Sequence, residues 1–311
     1  MIVSQYYREL LSTSERSAYD IILDSVLNYK EKITLKDRNV DVSKIIDFIR
    51  YDQPQQFNFR KYFITITDKS IIIKPEYIYS KENYLKIRQL CIAESKKIIS
   101  GASGSDYEKI LKIHDKLCSK LHYVDEGDES HTIVGSLLRG SGVCEGFSLL
   151  FKLLCDMIDV QCLTVFGYLN NSTVPHLWNC VCLDNEWYHV DLTNDMPSEM
   201  NGFIKYDYLN LTDNEISRDH RFDVNPVVCS GIKYNYFLKN NLLFDDIKKL
   251  QDYIVNTSLK TIYFKVTPEM NNNDFENKIK SIIRKRKPRR SFSYSIMMNR
   301  NQNTFMIAFN R

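Results

Sequence analysis

The sequence lacks the features that would place it in a membrane or in a secretory pathway. No apolar stretch approaches the length of a transmembrane helix, and residues 1–17 contain neither the apolar core nor the small-residue cleavage site of a signal peptide. The eight cysteines include no CxxC pair, and several fall on apolar faces of predicted helices or strands. We therefore predict a cytoplasmic protein, not bound to membranes, whose thiols are reduced and buried rather than joined in disulfides or a zinc site.

The sequence also carries little net charge. Its 42 basic and 39 acidic side chains leave a formal charge of +3, which does not indicate a polyanionic partner, so no nucleic acid is expected. Six positive charges are concentrated between Arg284 and Arg290, after a helical pattern and before a strand pattern. This position favours a solvated basic loop over a contact with nucleic acid or a membrane surface.

The order of predicted elements indicates an α+β protein in three parts. Residues 1–80 are predicted to form helix, strand, helix and hairpin, and residues 241–311 repeat that order. The two ends are either related small α+β modules or alike by chance, since the order is common in α+β folds. Residues 81–240 form the central part. In it we predict helices over 81–99 and 106–121, strands over 161–169, 176–183 and 186–192, and a packed loop over 206–223.

One stretch of the central part points to chemistry, namely residues 140–147 with the sequence GSGVCEGF. The small residues Gly140, Ser141 and Gly142 suit a tight turn, and apolar residues then recur at helical spacing. This pattern predicts Cys144 in the first turn of a largely buried helix. Unpaired backbone N–H groups and the positive end of the helix dipole lie there, and both favour the nucleophilic thiolate.

The two further groups that such a thiol needs, a base and a group that orients the base, lie downstream. An Asp-Asn pair at 184–185 is a hairpin signal between two strand patterns, and it sets Leu183 opposite Glu186. In that register His176 and Asp191 are diagonal neighbours on one face of the sheet, about 7–8 Å apart at the backbone. The aspartate can then hold one ring nitrogen of the histidine while the other nitrogen faces a thiol.

His189 is an alternative base, because the same alternation of side chains places it on that face. We favour His176, which opens its strand beside a loop where a substrate can approach, and we interpret His189 as a core histidine. The remaining histidines are expected to make local hydrogen bonds; they are His114, His122, His131 and His220.

Three segments together resemble the motifs of the transglutaminase-like superfamily: GVCEGF at 142–147, HLWN at 176–179 and WYHVDLT at 187–193. The resemblance covers residues 106–223, and residues 208–220 resemble the segment that follows the core in bacterial members. It implies a papain-like fold in which the nucleophile helix packs against an antiparallel sheet. It assigns Cys144 as nucleophile, His176 as base and Asp191 as orienting acid of a catalytic triad.

The chain departs from the family pattern at two positions. Asn194 stands where bacterial relatives usually have tryptophan, and Phe147 replaces a more usual tyrosine. We expect neither residue to contact the triad and both to line the substrate cleft.

The chemistry that the resemblance implies is acyl transfer through a thioester, with a protein or peptide amide as substrate. The backbone N–H of Cys144 is one candidate donor for the oxyanion, and Tyr123 and His131 are candidates for the second. No metal site or nucleotide-binding loop is evident, so no cofactor is expected.

Two classes of function remain open at this point. The first is an active transglutaminase-like acyltransferase, deamidase or cysteine peptidase, and the sequence does not separate these outcomes. The second is a catalytically silent binding or scaffold protein that keeps the fold. The intact set of three residues favours the enzyme, because a site that drifts without selection loses one member early. Nothing in the sequence sets the oligomeric state.

Overall fold

The computed structural model of the chain describes residues 5–197, 203–222, 226–286 and 293–310. Over these residues the protein has three main sheets and one two-stranded ladder, with helices packed on the sheets. The predicted α+β class is confirmed. No helix in the described ranges combines the length and the apolar character needed to span a bilayer.

The helices and strands of the described residues are numbered here in chain order. The helices are Tyr6–Glu9 (α1), Thr13–Leu27 (α2), Val42–Asp52 (α3), Lys81–Ile99 (α4), Asp106–Cys118 (α5), Cys144–Met157 (α6), Leu192–Asp195 (α7), Asp213–Ile216 (α8), Tyr236–Lys239 (α9), Ile247–Asn256 (α10) and Phe275–Lys285 (α11). The strands are Ile33–Leu35 (β1), Phe59–Ile66 (β2), Ile71–Tyr77 (β3), His122–Tyr123 (β4), Ser141–Gly142 (β5), Cys162–Leu169 (β6), Pro175–Leu183 (β7), Glu186–Val190 (β8), Leu209–Leu211 (β9), His220–Phe222 (β10), Leu243–Phe244 (β11), Thr261–Val266 (β12), Ser293–Asn299 (β13) and Thr304–Asn310 (β14).

The N-terminal sheet has the strand order β1-β3-β2, and both pairs are antiparallel. Its helices begin where a polar side chain caps the backbone: Ser12 forms a capping box with Glu15 at α2, and Asp41 caps α3. The apolar faces of both helices, with Ile22 and Ile46 wholly buried, share one core with the sheet. The predicted order of helix, strand, helix and hairpin is found, preceded by the short α1 that the sequence did not indicate.

The central sheet has the order β10-β6-β7-β8-β9, and every neighbouring pair is antiparallel. The β7–β8 hairpin has the predicted register, since Leu183 lies opposite Glu186 and Cys180 opposite His189. The two turn residues at 184–185 both have positive φ, at 52° and 65°, as a two-residue hairpin of this kind requires.

Helix α6 covers one face of this sheet. Its fully buried Phe147, Leu150 and Leu154 share a core with Val181 and Val190 of the two hairpin strands. The opposite face belongs to a second apolar cluster, which includes Trp178 and Cys180. The predicted arrangement of a helix packed against an antiparallel sheet is therefore confirmed.

The segment over 206–223 is not the loop that the sequence predicts. It contains β9, α8 and β10, and the two strands form the two edges of the central sheet. Leu209 and Leu211 are fully buried, and Thr212 and Glu215 form a capping box at α8. The sequence does not reveal these strands because each is only three residues long and pairs with a strand outside the segment. Residue 223 lies outside the described residues.

The C-terminal sheet has the order β11-β12-β14-β13. The first helix of residues 241–311 does not begin at the apolar Phe244 but at Ile247, because Asp246 caps it by accepting from the N–H groups of Lys248 and Lys249. Phe244 instead belongs to β11, which pairs in parallel with β12. Apart from β11, the strands β12, β14 and β13 reproduce the order and antiparallel pairing of β1, β3 and β2. The two ends thus share a topology, and the prediction that they are related modules stays a prediction.

Each of the three sheets has its own buried apolar cluster. The division into units over 1–80, 81–240 and 241–311 stays a prediction. Of the basic run, Arg284 and Lys285 end α11, Arg286 lies over the Phe309 ring, and residues 287–290 lie outside the described residues. The solvated basic loop therefore also stays a prediction.

Candidate active site

Cys144 is the first residue of α6, directly after the β5 ladder. Gly140 makes the preceding turn in the left-handed region, with φ at 69°, and no side chain caps the helix at Val143. The first-turn N–H groups of α6 are therefore not engaged by a capping side chain. Gly146 lets this turn approach its neighbours, because a Cβ there would lie 2.5 Å from the carbonyl oxygen of Ser130. Cys144 itself is 7% exposed.

His176 is the second residue of β7, and Asp191 follows β8 as the cap of α7. The predicted diagonal contact is present, since His176 Nε2 donates to Asp191 Oδ2 at 2.8 Å. The same imidazole also interacts with the thiol of Cys144. The structure thus brings all three predicted residues together, with the imidazole between the carboxylate and the sulfur.

The charges of this group stabilise one another. Burial lowers the pKa of His176, but Asp191 and then Cys144 raise it more strongly, to about 10. Burial likewise raises the pKa of Asp191, yet His176 and then His220 bring it well below its ordinary value. At neutral pH the site therefore holds an imidazolium against a buried carboxylate.

Sequence reasoning missed a second histidine at this carboxylate. His220, for which only local hydrogen bonds were expected, places Nε2 3.0 Å from Asp191 Oδ2 and Nδ1 2.7 Å from Asp219 Oδ1. It lies on β10, inside the segment that resembles the family but was interpreted as a loop. The one available signal was that resemblance over 208–220.

The two departures from the family pattern are also placed differently from our expectation. Asn194 does contact the triad, because its side-chain amide donates to Asp191 Oδ2 at 2.6 Å and its backbone N–H to Oδ1 at 3.2 Å. Phe147 does not line an open cleft, because it is fully buried and its ring meets that of Tyr123 edge-on. The side-chain amide thus adds a second hydrogen bond from Asn194 to the carboxylate that caps α7, and a tryptophan side chain has no amide with which to make it.

The two candidate donors for an oxyanion have different surroundings. The Tyr123 hydroxyl interacts with both the thiol and the backbone N–H of Cys144, and its ring is 57% exposed. His131 instead engages two carboxylates, with Nδ1 3.0 Å from Glu145 Oε2 and Nε2 3.6 Å from Asp125 Oδ2. Tyr123 is therefore the better placed of the two.

The N-terminal sheet reaches the first turn of α6 through Arg60 on β2. Its guanidinium forms a two-point pair with Glu145, the residue next to Cys144, with Nη2 3.1 Å from Oε2. Burial raises the pKa of Glu145, but His131 and then Arg60 lower it to about 2. This contact fixes the start of the nucleophile helix from a part of the chain that the family motifs do not include.

His189, the alternative base, has a separate set of partners. It is fully buried, its Nε2 lies 2.8 Å from Asp213 Oδ1, and its Nδ1 accepts the indole N–H of Trp178 at 3.1 Å. Its place in the core is therefore as predicted.

Two groups among the described residues bring three metal-ligating atoms close together: His176, Asp191 and His220, and separately Cys180, His189 and Cys229. In the first group, both histidines already form hydrogen bonds with Asp191. The predicted lack of a cofactor stays a prediction.

A family model described as the transglutaminase-like superfamily matches residues 94–192 of this chain, a range that includes Cys144, His176 and Asp191. The chain carries a transglutaminase-like core. The matched range includes strands β6, β7 and β8 of the central sheet, whereas β9 and β10 follow it.

Two curated proteins are similar in sequence to part of this chain. The kyphoscoliosis peptidase of Mus musculus is 31% identical over 104 residues, which cover 29% of this chain and 16% of that protein. The kyphoscoliosis peptidase of Homo sapiens is 30% identical over the same coverage. The chain thus spans only 16% of the length of these curated relatives. A crystal structure of a TGase aligns with a TM-score of 0.33 and 14% identity, covering 55% of this chain and 52% of that one.

Proposed function

We propose that this transglutaminase-like chain is a cysteine acyltransferase or hydrolase that acts on protein or peptide amides through Cys144, His176 and Asp191. The observation that carries the proposal is the imidazole of His176, which lies between a buried carboxylate at 2.8 Å and the thiol at the start of α6. A nucleophile, a base and a group that orients the base are the parts that thiol-based acyl transfer requires.

The reaction begins with the Cys144 thiolate, which the neighbouring imidazolium and the helix N-terminus stabilise. The thiolate attacks the carbonyl carbon of an amide, and negative charge develops on the carbonyl oxygen. His176 then gives its proton to the leaving amine as the C–N bond breaks, and a thioester to Cys144 remains. Asp191 keeps the ring oriented throughout, because its Oδ2 holds Nε2 and leaves the other nitrogen toward the sulfur.

The developing oxyanion needs donors that point to it in advance. The backbone N–H of Cys144 and the hydroxyl of Tyr123 already meet beside the thiol. A carbonyl oxygen that takes the place of this mutual contact would be within reach of both donors. We therefore assign Tyr123 as the second donor in preference to His131.

Water or an amine completes the cycle by attacking the thioester, with the now neutral His176 as general base. Water gives deamidation or peptide hydrolysis, and an amine gives transamidation. Mass spectrometry after incubation with a peptide library and a primary amine separates them: gain of the amine with loss of ammonia marks transamidation, replacement of NH₂ by OH marks deamidation, and cleavage marks a peptidase.

Selective alkylation tests the nucleophile directly. Cys182 is the most exposed of the eight cysteines, because it is half-buried while the other seven are buried. If exposure alone sets reactivity, a substoichiometric dose of iodoacetamide near neutral pH labels Cys182 first. We expect Cys144 to be labelled first, because its place at the helix start beside His176 supplies the thiolate.

Cys144→Ser and Cys182→Ser are the matched controls for this measurement. Labelling should fall to the background level in the first variant and stay unchanged in the second. Preferential labelling of Cys182 in the unaltered chain, or an absence of any turnover together with uniform labelling, would favour the silent binding protein instead.

A further inference from the structure

A second cluster of reactive side chains lies on the face of the central sheet away from α6. It joins Cys180 of β7, His189 of β8 and Cys229, which lies between β10 and α9. The two sulfurs are 3.5 Å apart, and Cys180 Sγ lies 3.3 Å from His189 Nδ1. All three side chains are at most 1% exposed, and the proposed mechanism at Cys144 uses none of them.

Asp213 holds this cluster in place. Its Oδ1 accepts His189 Nε2 at 2.8 Å, and its Oδ2 accepts the backbone N–H of Cys229 at 3.2 Å. Its own backbone N–H donates to the carbonyl oxygen of Cys229 at 2.8 Å. The carboxylate therefore fixes the imidazole with Nδ1 toward the sulfurs and, at the same time, fixes the backbone that carries one of those sulfurs.

The two thiols differ in acidity, as an attacking and a resolving cysteine must. The hydrogen bond with Cys180 and, after it, the contact with His189 lower the pKa of Cys229 to about 6, against the opposing effect of burial. Burial, followed by the neighbouring Cys229, raises the pKa of Cys180 well above its ordinary value. At neutral pH Cys229 is therefore the thiolate of the pair.

We propose that Cys229 and Cys180 form a reversible disulfide when the protein meets a hydroperoxide. The Cys229 thiolate attacks the peroxide, the O–O bond breaks, and Cys229 becomes a sulfenic acid as the other oxygen leaves as an alcohol or water. The Cys180 sulfur then attacks the sulfenic sulfur, the S–S bond forms, the S–O bond breaks, and water leaves with the Cys180 proton. Two thiols are oxidised and one peroxide is reduced.

A bound metal ion is the competing use of the same atoms. Two cysteines and a histidine can serve as ligands to zinc, and a carboxylate on the far ring nitrogen is a common support. Here, however, the lone pair of His189 Nδ1 already accepts the indole N–H of Trp178 at 3.1 Å. The geometry thus leaves two sulfurs in contact without a free imidazole nitrogen, which favours the thiol pair.

Another pair of cysteines provides a matched control. Cys155 and Cys162 are also in contact and fully buried, on the α6 side of the sheet. Burial and then Cys162 raise the pKa of Cys155 well above its ordinary value. Contact and burial are thus shared by both pairs, while the pKa of Cys229 is lowered and that of Cys155 is raised.

The test uses the full-length chain with Cys144→Ser, which removes the competing reactive thiol. Hydrogen peroxide is added in increasing doses, free thiols are blocked with iodoacetamide, and the disulfide-linked peptides are identified by mass spectrometry. We expect the Cys180–Cys229 link to form at least about tenfold faster than any Cys155–Cys162 link, since the rate follows the thiolate fraction. Dithiothreitol should restore both thiols.

Trp178 supplies a readout that does not depend on catalysis. Its indole N–H is bonded to His189, so in a Trp187→Phe background the fluorescence should change with the same dose of peroxide, and should not change once Cys229→Ser is added. Equal rates at the two cysteine pairs, or oxidation of Cys229 to higher acids without a link, would overturn the proposal. So would stoichiometric zinc that is lost in Cys229→Ser and blocks oxidation. None of these results depends on whether Cys144 is catalytic.

Discussion

Two histidines of the central sheet have partners of the same kinds, an aspartate and a cysteine, but lie at different places in their strands. His176 and His189 each donate Nε2 to an aspartate at 2.8 Å, and each has cysteine sulfur near the ring. His176 lies at the start of β7 and is 7% exposed, whereas His189 lies within β8 and is fully sealed. A Cys–His–Asp set is therefore not by itself a catalytic site.

The two sets differ in the backbone that carries the cysteine. Cys144 opens a fourteen-residue helix whose first N–H groups have no capping side chain, so a substrate oxygen can be bound beside the thiol. Cys180 lies within a paired strand, whose backbone N–H groups are used by the sheet. Only the first arrangement offers donors for an oxyanion, and only it reaches the surface. The second is suited to chemistry between the two sulfurs themselves.

The two sets are not isolated from each other, because Trp178 lies between them. Its ring stacks on His176 with centroids 5.8 Å apart, and its N–H donates to His189 at 3.1 Å. A change at one histidine can thus displace the ring that contacts the other. The comparison is tested most directly by altering one histidine at a time.

The largest effect is expected from His176→Asn. Loss of the base should slow alkylation of Cys144 near neutral pH by at least about a hundredfold, the range typical for a general base. The asparagine amide can still donate to Asp191, so the sheet should remain folded, which circular dichroism can verify. Asp191→Asn is the companion variant and should slow alkylation less, because the imidazole stays but loses its orientation. Retention of the full alkylation rate in His176→Asn would remove His176 from the mechanism.

A pH series gives an intermediate effect on stability. The pKa of His176 is raised from 6.5 to about 10, so its ion pair stabilises the folded state fully below about pH 6.5, and this contribution declines as the pH rises toward 10. The difference in free energy of unfolding between the unaltered chain and His176→Asn should therefore be larger at about pH 6 than at about pH 10.

Urea denaturation at the two pH values measures this difference. The lowered pKa of Asp191 does not interfere, because a carboxylate of this kind loses its contribution only in acid, below its unfolded value. A gap that stays constant or widens toward high pH would mean that His176 is neutral in the folded protein.

Sequence reasoning worked where the information was local. The turn at 184–185 set the register of β7 and β8, and that register alone brought His176 to Asp191. The glycine-rich turn and the leucine pattern likewise placed Cys144 at the start of a helix. Each of these inferences needed only a turn signal or a periodic pattern.

It failed where a partner came from a distant segment. His220 meets Asp191 across 29 positions, and Arg60 meets Glu145 across 85. Neither contact has a periodic pattern, because each depends on how separate elements pack. The three-residue strands β9 and β10 were missed for the same reason, as they exist only through their pairing with β8 and β6.

The smallest effect on the thiol is expected from His189→Gln, and it is the sharpest test of the comparison. Glutamine cannot satisfy Asp213 Oδ1 and the Trp178 N–H in the way that the two ring nitrogens do. The buried groups left without partners should lower the free energy of unfolding by about 1–3 kcal/mol. The set around Cys144 keeps all its own contacts, so its alkylation rate should change by no more than about twofold, a shift of Trp178 being the only route of influence.

The two measurements must be made on the same preparation, with alkylation followed well below the melting temperature so that unfolding does not expose other thiols. His189→Gln and His176→Asn should then give opposite patterns: the first mainly loses stability, and the second mainly loses reactivity. If His189→Gln alone silences Cys144 while His176→Asn leaves it reactive, the catalytic base lies on β8, and the roles of the two histidines must be exchanged. If both variants silence it, Trp178 couples the two histidines so strongly that their surroundings act as one site.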